Sequence, residues 1–177
     1  MVKPPISSED LAVIKSWLGS GSINIFGLPF AGKDTHGRTL SELFEAPLLG
    51  GGDILRNSVI PPHAKEIMET GGLIPTEDYI SIVLPYLSQP ELADKPLILS
   101  SVGRWIGEEQ GVFEATEAAG HPIKAVVYLH LSEDLVHQRW RTSLEIGDRG
   151  DRNDDDEHKL DTRIREDAAK LEEFYQG

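Results

Sequence analysis

Apolar positions along this 177-residue chain follow two rhythms that alternate from end to end. Short apolar runs mark strands at 23–26, 47–49, 97–99 and 125–131. Each is shorter than a helix needs to be, and turn residues stand beside them. Elsewhere the apolar residues recur at helical spacing. Leu11, Ile14, Trp17 and Leu18 form one face of a first helix. Ser7 or Ser8 serves as its N-cap, Glu9 and Asp10 suit its positive end, and Gly19 and Gly21 stop it. Further helices are predicted over 36–44 and from Pro61 and Pro62 to residue 68, where Gly71 and Gly72 end the pattern. A helix capped by Thr76 carries Ile80, Val83, Leu84 and Leu87, with Pro85 kinking or shortening it. Helices over 108–119, 133–140 (capped by Ser132) and 158–175 complete the pattern; 147–156 is a charged loop. Strands alternating with helices predict an α/β fold, a central parallel sheet covered on both faces.

Composition narrows the picture. Apolar residues make up 39% of the chain, enough for a core in one compact domain. Thirty acidic residues face 17 basic ones, a formal charge of −13 that repels nucleic acid at long range. The absence of cysteine excludes disulfides, zinc-thiolate sites and thiol nucleophiles. Six histidines are scattered without metal-ligand spacing. No apolar run approaches the ~20 residues of a membrane span. Residues 1–9 have neither the basic nor the apolar region of a secretory signal, so a cytoplasmic protein is expected.

The chemistry concentrates in Gly27-Leu28-Pro29-Phe30-Ala31-Gly32-Lys33-Asp34-Thr35, between a predicted strand and a predicted helix. Gly27, four residues, Gly32 and Lys33 have Walker A spacing. A loop wrapped around phosphate must aim successive N–H groups inward, which glycine allows. The helix that follows adds its positive end, and Lys33 adds a point charge for the β- and γ-phosphates. The general motif puts Ser or Thr directly after the Lys; here Asp34 takes that place and Thr35 follows.

That loop resembles G-x-P-G-x-G-K-G-T of the adenylate kinases and related nucleoside monophosphate kinases. Other pieces follow in family order. Gly52-Asp53-Ile54-Leu55-Arg56 is similar to T-G-D-L-L-R, and Gly72-Leu73-Ile74-Pro75 to G-x-[LI]-[VI]-P. Arg104 follows the third strand as the Arg of D-G-[FY]-P-R does. Gln138-Arg139 resembles the helix leading into the lid, Arg152 with Asp154 and Asp155 its R-x-D-D end, and Arg163-Ile164 a later R-L. The resemblance covers residues 23–175.

It implies a P-loop NTPase fold, a three-layer α/β/α domain over 23–177 behind a helical extension at 1–22. A monophosphate-binding insert is expected at about 53–84, and a short lid at about 141–152. It implies ATP and Mg²⁺ as cofactors, small nucleotides as partners, and a monomer without nucleic acid or membrane partners. Gly27, Phe30, Ala31, Gly32, Lys33, Asp34, Thr35 and Arg139 would bind ATP. Gly51, Asp53, Arg56, Ile74, Arg104 and Glu108 would bind the monophosphate. Lys33, Arg104, Arg139, Arg152 and Arg163 would carry catalysis. Arginine suits phosphoryl transfer because its planar fork grips two oxygens and never deprotonates.

Several positions depart from the family pattern. Ser100 replaces the acid that supports Mg²⁺, and Asp34, replacing a glycine, is the candidate to take over. A solvated helix-start carboxylate is the plainer reading of Asp34. Phe30 replaces a loop glycine and is expected to point away from the phosphates. Gly51 replaces a Thr, and Glu108 stands near the place of the Gln that reads adenine. The expected reaction is ATP plus nucleoside monophosphate giving two diphosphates. The alternatives are a nucleotide-binding regulator on a degenerate kinase fold, or a kinase for a non-nucleotide phosphate.

Overall fold

A computed structural model describes residues 6–69, 75–103, 108–146, 157–158, 160–162 and 164–165. In order, its elements are α1 (Ser8–Leu18), β1 (Ser22–Gly27), α2 (Lys33–Phe44), β2 (Leu48–Gly50), α3 (Gly51–Arg56) and α4 (Pro62–Glu69). Then come α5 (Thr76–Leu87), β3 (Leu97–Ser100), α6 (Glu109–Ala118), β4 (Ile123–Leu129) and α7 (Glu133–Ile146). Residues 157–158, 160–162 and 164–165 are also helical.

Among the described residues the strands form one parallel sheet in the order β2-β3-β1-β4. The central strand β1 is buried along its whole length, so Ile23, Ile25 and Phe26 face neighbours on both sides of the sheet. Side chains alternate across the sheet. Leu97 and Leu99 join a cluster with Ile54, Tyr79, Ile82, Val83, Leu87, Val112 and Ala115 from α3, α5 and α6. Ile98 points the other way, to Ile23, Ile25, Leu18 and Phe44, which belong to β1, α1 and α2. The domain is thus the three-layer α/β/α arrangement expected. α1 docks on the second cluster through Leu18, with Leu11 and Ile14 packed against it.

Local details differ from the sequence reading. Ser7 caps α1 as expected, its hydroxyl accepting from the Asp10 amide at 3.0 Å. Thr76 is not a cap: it is the first residue of α5, and Pro75 precedes it with extended ψ of 145°. Pro85 lies inside α5, which runs on to Leu87. α2 begins three residues before residue 36, because the glycine-rich loop 27–32 turns directly into it. The glycines at 50–52 follow the predicted strand 47–49, and Gly51 and Gly52 open the short helix α3. α7 extends to Ile146 rather than stopping near 140, so residues 141–146 of the expected lid are helical.

Candidate active site

In a parallel sheet of this kind, ligands bind beyond the carboxyl ends of the strands, where neighbouring connections leave in opposite directions. Here β1 sits between β3 and β4, and the connection from β1 leads toward β2 while that from β3 crosses to β4. The loop 27–32 leaves β1 at that point. Its last residue, Gly32, is the N-cap of α2 with φ 94°, a left-handed turn that glycine makes without strain. α2 then presents its amino end to the loop.

Lys33 is half-buried, and its ammonium group donates to the carbonyls of Gly27 at 2.6 Å and Leu28 at 2.9 Å. It is thereby held over the loop. Asp34 is half-buried and Thr35 exposed at the start of α2. On the neighbouring strand Ser100 is buried, level with Ile25 of β1 and Gly50 of β2.

Arg139 of α7 reaches the loop, its Nη1 donating to the Phe30 carbonyl at 2.9 Å. Phe30 has φ 61°, a left-handed backbone that costs a non-glycine residue about 1–2 kcal/mol. Its ring packs against a third cluster: Leu28 from the loop, Val136 and Trp140 from α7, and Leu160 and Ile164. Burial of the ring offsets the backbone cost. α7 is joined to the residues beyond 156 by polar contacts as well. Arg141 Nη2 donates to Glu157 at 3.1 Å, and His137 Nε2 lies 3.1 Å from Asp161.

On the β2 side, Gly51 opens α3 against the loop that follows β3. A Cβ at Gly51 would lie 2.5 Å from the Ser101 carbonyl oxygen. Arg56 and Asp53, on the same helix, form an exposed ion pair at 2.5 Å. Glu108 is buried just before α6 and acts on Tyr79 of α5. Burial first, and then the charge of Glu108, push the Tyr79 phenol far above its ordinary range; accepting from the Gly103 amide pulls it the other way.

Arg139 thus meets the loop 27–35, and Ser100 stands on the neighbouring strand; Gly51, Asp53 and Arg56 share α3, and Glu108 acts on Tyr79. Ile74, Arg104, Arg152 and Arg163 lie outside the described residues. One supporting residue escaped the sequence reading. Asn24, within the apolar run of β1, is buried, and its Nδ2 donates to the Val102 carbonyl at 2.8 Å. It braces the loop after β3, and an amide inside an apolar strand was the available signal.

No protein-family model matches the chain. Over 161 residues it is 31% identical to the adenylate kinase of Corynebacterium urealyticum, covering 86% of this chain and 84% of that one. It is 30% identical over 164 residues to that of Methylobacterium nodulans, covering 86% and 82%. With that of Archaeoglobus fulgidus it shares 33% over 118 residues, covering 64% and 54%. A glycine-rich loop on the central strand, an arginine brought to it from α7, and likeness over more than four fifths of two such enzymes lead to one conclusion: the chain belongs to the adenylate kinase family.

Proposed function

We propose that this chain transfers the γ-phosphoryl group of ATP to a nucleoside monophosphate, giving ADP and a nucleoside diphosphate. AMP is the first acceptor to try, because the relatives are named adenylate kinases. The observation that carries the reading is the loop 27–35, with the Lys33 ammonium held over it and Arg139 hydrogen-bonded to it.

Phosphoryl transfer asks a protein chiefly for alignment and charge stabilisation, since the acceptor phosphate is already anionic. Lys33 exchanges two neutral carbonyls for phosphate oxygens, a gain because hydrogen bonds between ionised groups are stronger. Arg139, with Arg152 and Arg163, neutralises the equatorial oxygens of the transferring group, and Arg104 holds the acceptor phosphate together with Arg56. Arg56 leaves Asp53 for the acceptor phosphate; their pair is exposed and gives little resistance. Asp34 and Ser100 would hold Mg²⁺, which supplies positive charge beside the phosphates. No group of three acidic or histidine side chains among the described residues makes a metal cage. When bound, Mg²⁺ neutralises charge on the β- and γ-phosphates. In this reading the enzyme works as a monomer on small nucleotides in the cytoplasm. Among the described residues no helix is long and apolar enough to cross a membrane.

The test is ADP release with ATP, Mg²⁺ and a panel of nucleoside monophosphates. Turnover should depend on one acceptor and fall by about 10²-fold or more in Lys33→Met, with the circular dichroism spectrum unchanged. Acceptor-independent ADP release, or full activity in the variant, overturns the reading. Asp34→Gly should raise the Mg²⁺ concentration needed for half-maximal rate; an unchanged requirement leaves Asp34 as a helix-start charge only.

A further inference from the structure

We propose that Phe30 is a positioning residue that fixes the phosphate loop to α7 and to Leu160 and Ile164. The inference rests on the reading of 27–35 as the ATP loop. Two contacts made by this one residue carry it. Its carbonyl accepts from Arg139 Nη1 at 2.9 Å, which holds that guanidinium beside the loop. Its ring packs against the cluster of Val136 and Trp140 on α7 and Leu160 and Ile164 beyond residue 156. The left-handed backbone at φ 61° lets both contacts occur together. A glycine would adopt that φ more readily but would bring no ring to the cluster. Phe30 acts through the loop and Arg139. A shift of α7 is passed to the loop through the ring, so nucleotide binding depends on the seat of this residue.

The test compares Phe30→Gly, Phe30→Asn and Phe30→Tyr with the parent chain. Glycine and asparagine both tolerate left-handed backbone and remove the ring, so either serves if the other does not fold. Tyrosine keeps the ring. Thermal unfolding checks the fold, steady-state kinetics give the KM for each substrate, and calorimetric titration gives ATP affinity without turnover. The folded ringless variants should weaken ATP binding and raise its KM by about tenfold, with the monophosphate KM changed less than about twofold. Phe30→Tyr should restore the ATP values. ATP affinity unchanged in the ringless variants, equal rises in both KM values, or a tyrosine variant as weak as glycine would each overturn the proposal. If the parent chain binds ATP but turns over no acceptor, the kinase reading fails and the calorimetric comparison alone decides the role of Phe30. A parent chain that does not bind ATP overturns both.

Discussion

At the scale of single residues, Gly51 shows how a local departure from a family pattern follows from its surroundings. The family has a threonine at this place. Here the Ser101 carbonyl occupies the space of a side chain, 2.5 Å from where a Cβ would sit. Both partners are backbone, so neither yields cheaply. Gly51→Thr should therefore destabilise the fold by about 1–3 kcal/mol, read as a lower urea midpoint at constant slope. A loss below about 0.5 kcal/mol would show that the 101–103 loop shifts freely. The same reasoning separates what was legible about Lys33 from what was not. Its spacing from Gly27 and Gly32 identified the loop. That its ammonium rests on the Gly27 and Leu28 carbonyls depends on the path of the folded loop.

At the scale of elements, α5 is held by a buried phenol whose partners come from distant parts of the chain. Tyr79 accepts from the Gly103 amide and lies near Glu108, so α5, the loop after β3 and the start of α6 meet there. Its folded pKa is raised above the unfolded value of about 10. Its contribution to stability is thus complete below pH ~10 and is lost as pH rises beyond that, where the unfolded chain ionises and the folded one resists. Tyr79→Phe should lose about 1 kcal/mol at neutral pH, from the missing hydrogen bond. It should also flatten the fall in stability above pH ~10, measured by urea unfolding across alkaline pH. Most elements were legible because their periodicity is local. β1 and β3 appear within a residue or so of the predicted positions, and α1 ends at its glycine. The failures have tertiary causes. α3 packs Ile54 into the main core, which outweighs the poor helix propensity of Gly51 and Gly52. α5 tolerates Pro85 because its other face is buried through Ile82, Val83 and Leu87.

For the molecule as a whole, the question is how the residues beyond 156 are tied to the body. Charges and apolar packing both cross to α7. The Arg141–Glu157 pair is exposed, so Glu157→Gln should cost less than about 1 kcal/mol. Leu160 is fully buried in the cluster that also holds Leu28 and Trp140, and Leu160→Ala should cost about 2–5 kcal/mol. Thermal unfolding of the two variants ranks them, and equal losses would mean that the ionic contacts, not the cluster, hold this region. What the sequence by itself determined is the set of signals that act over short range. The strand and helix periods, the glycine spacing around Lys33 and the alternation that demands a parallel sheet are all local, because backbone geometry repeats every two or 3.6 residues. Tertiary structure alone decided which distant groups meet. The strand order β2-β3-β1-β4, the Asn24 brace on Val102, the closeness of Gly51 to Ser101 and the seat of Phe30 between Arg139 and Trp140 all join residues far apart in the chain. Spacing along the sequence carries no record of such contacts; they exist because burying both faces of one sheet forces the loops at its carboxyl ends together.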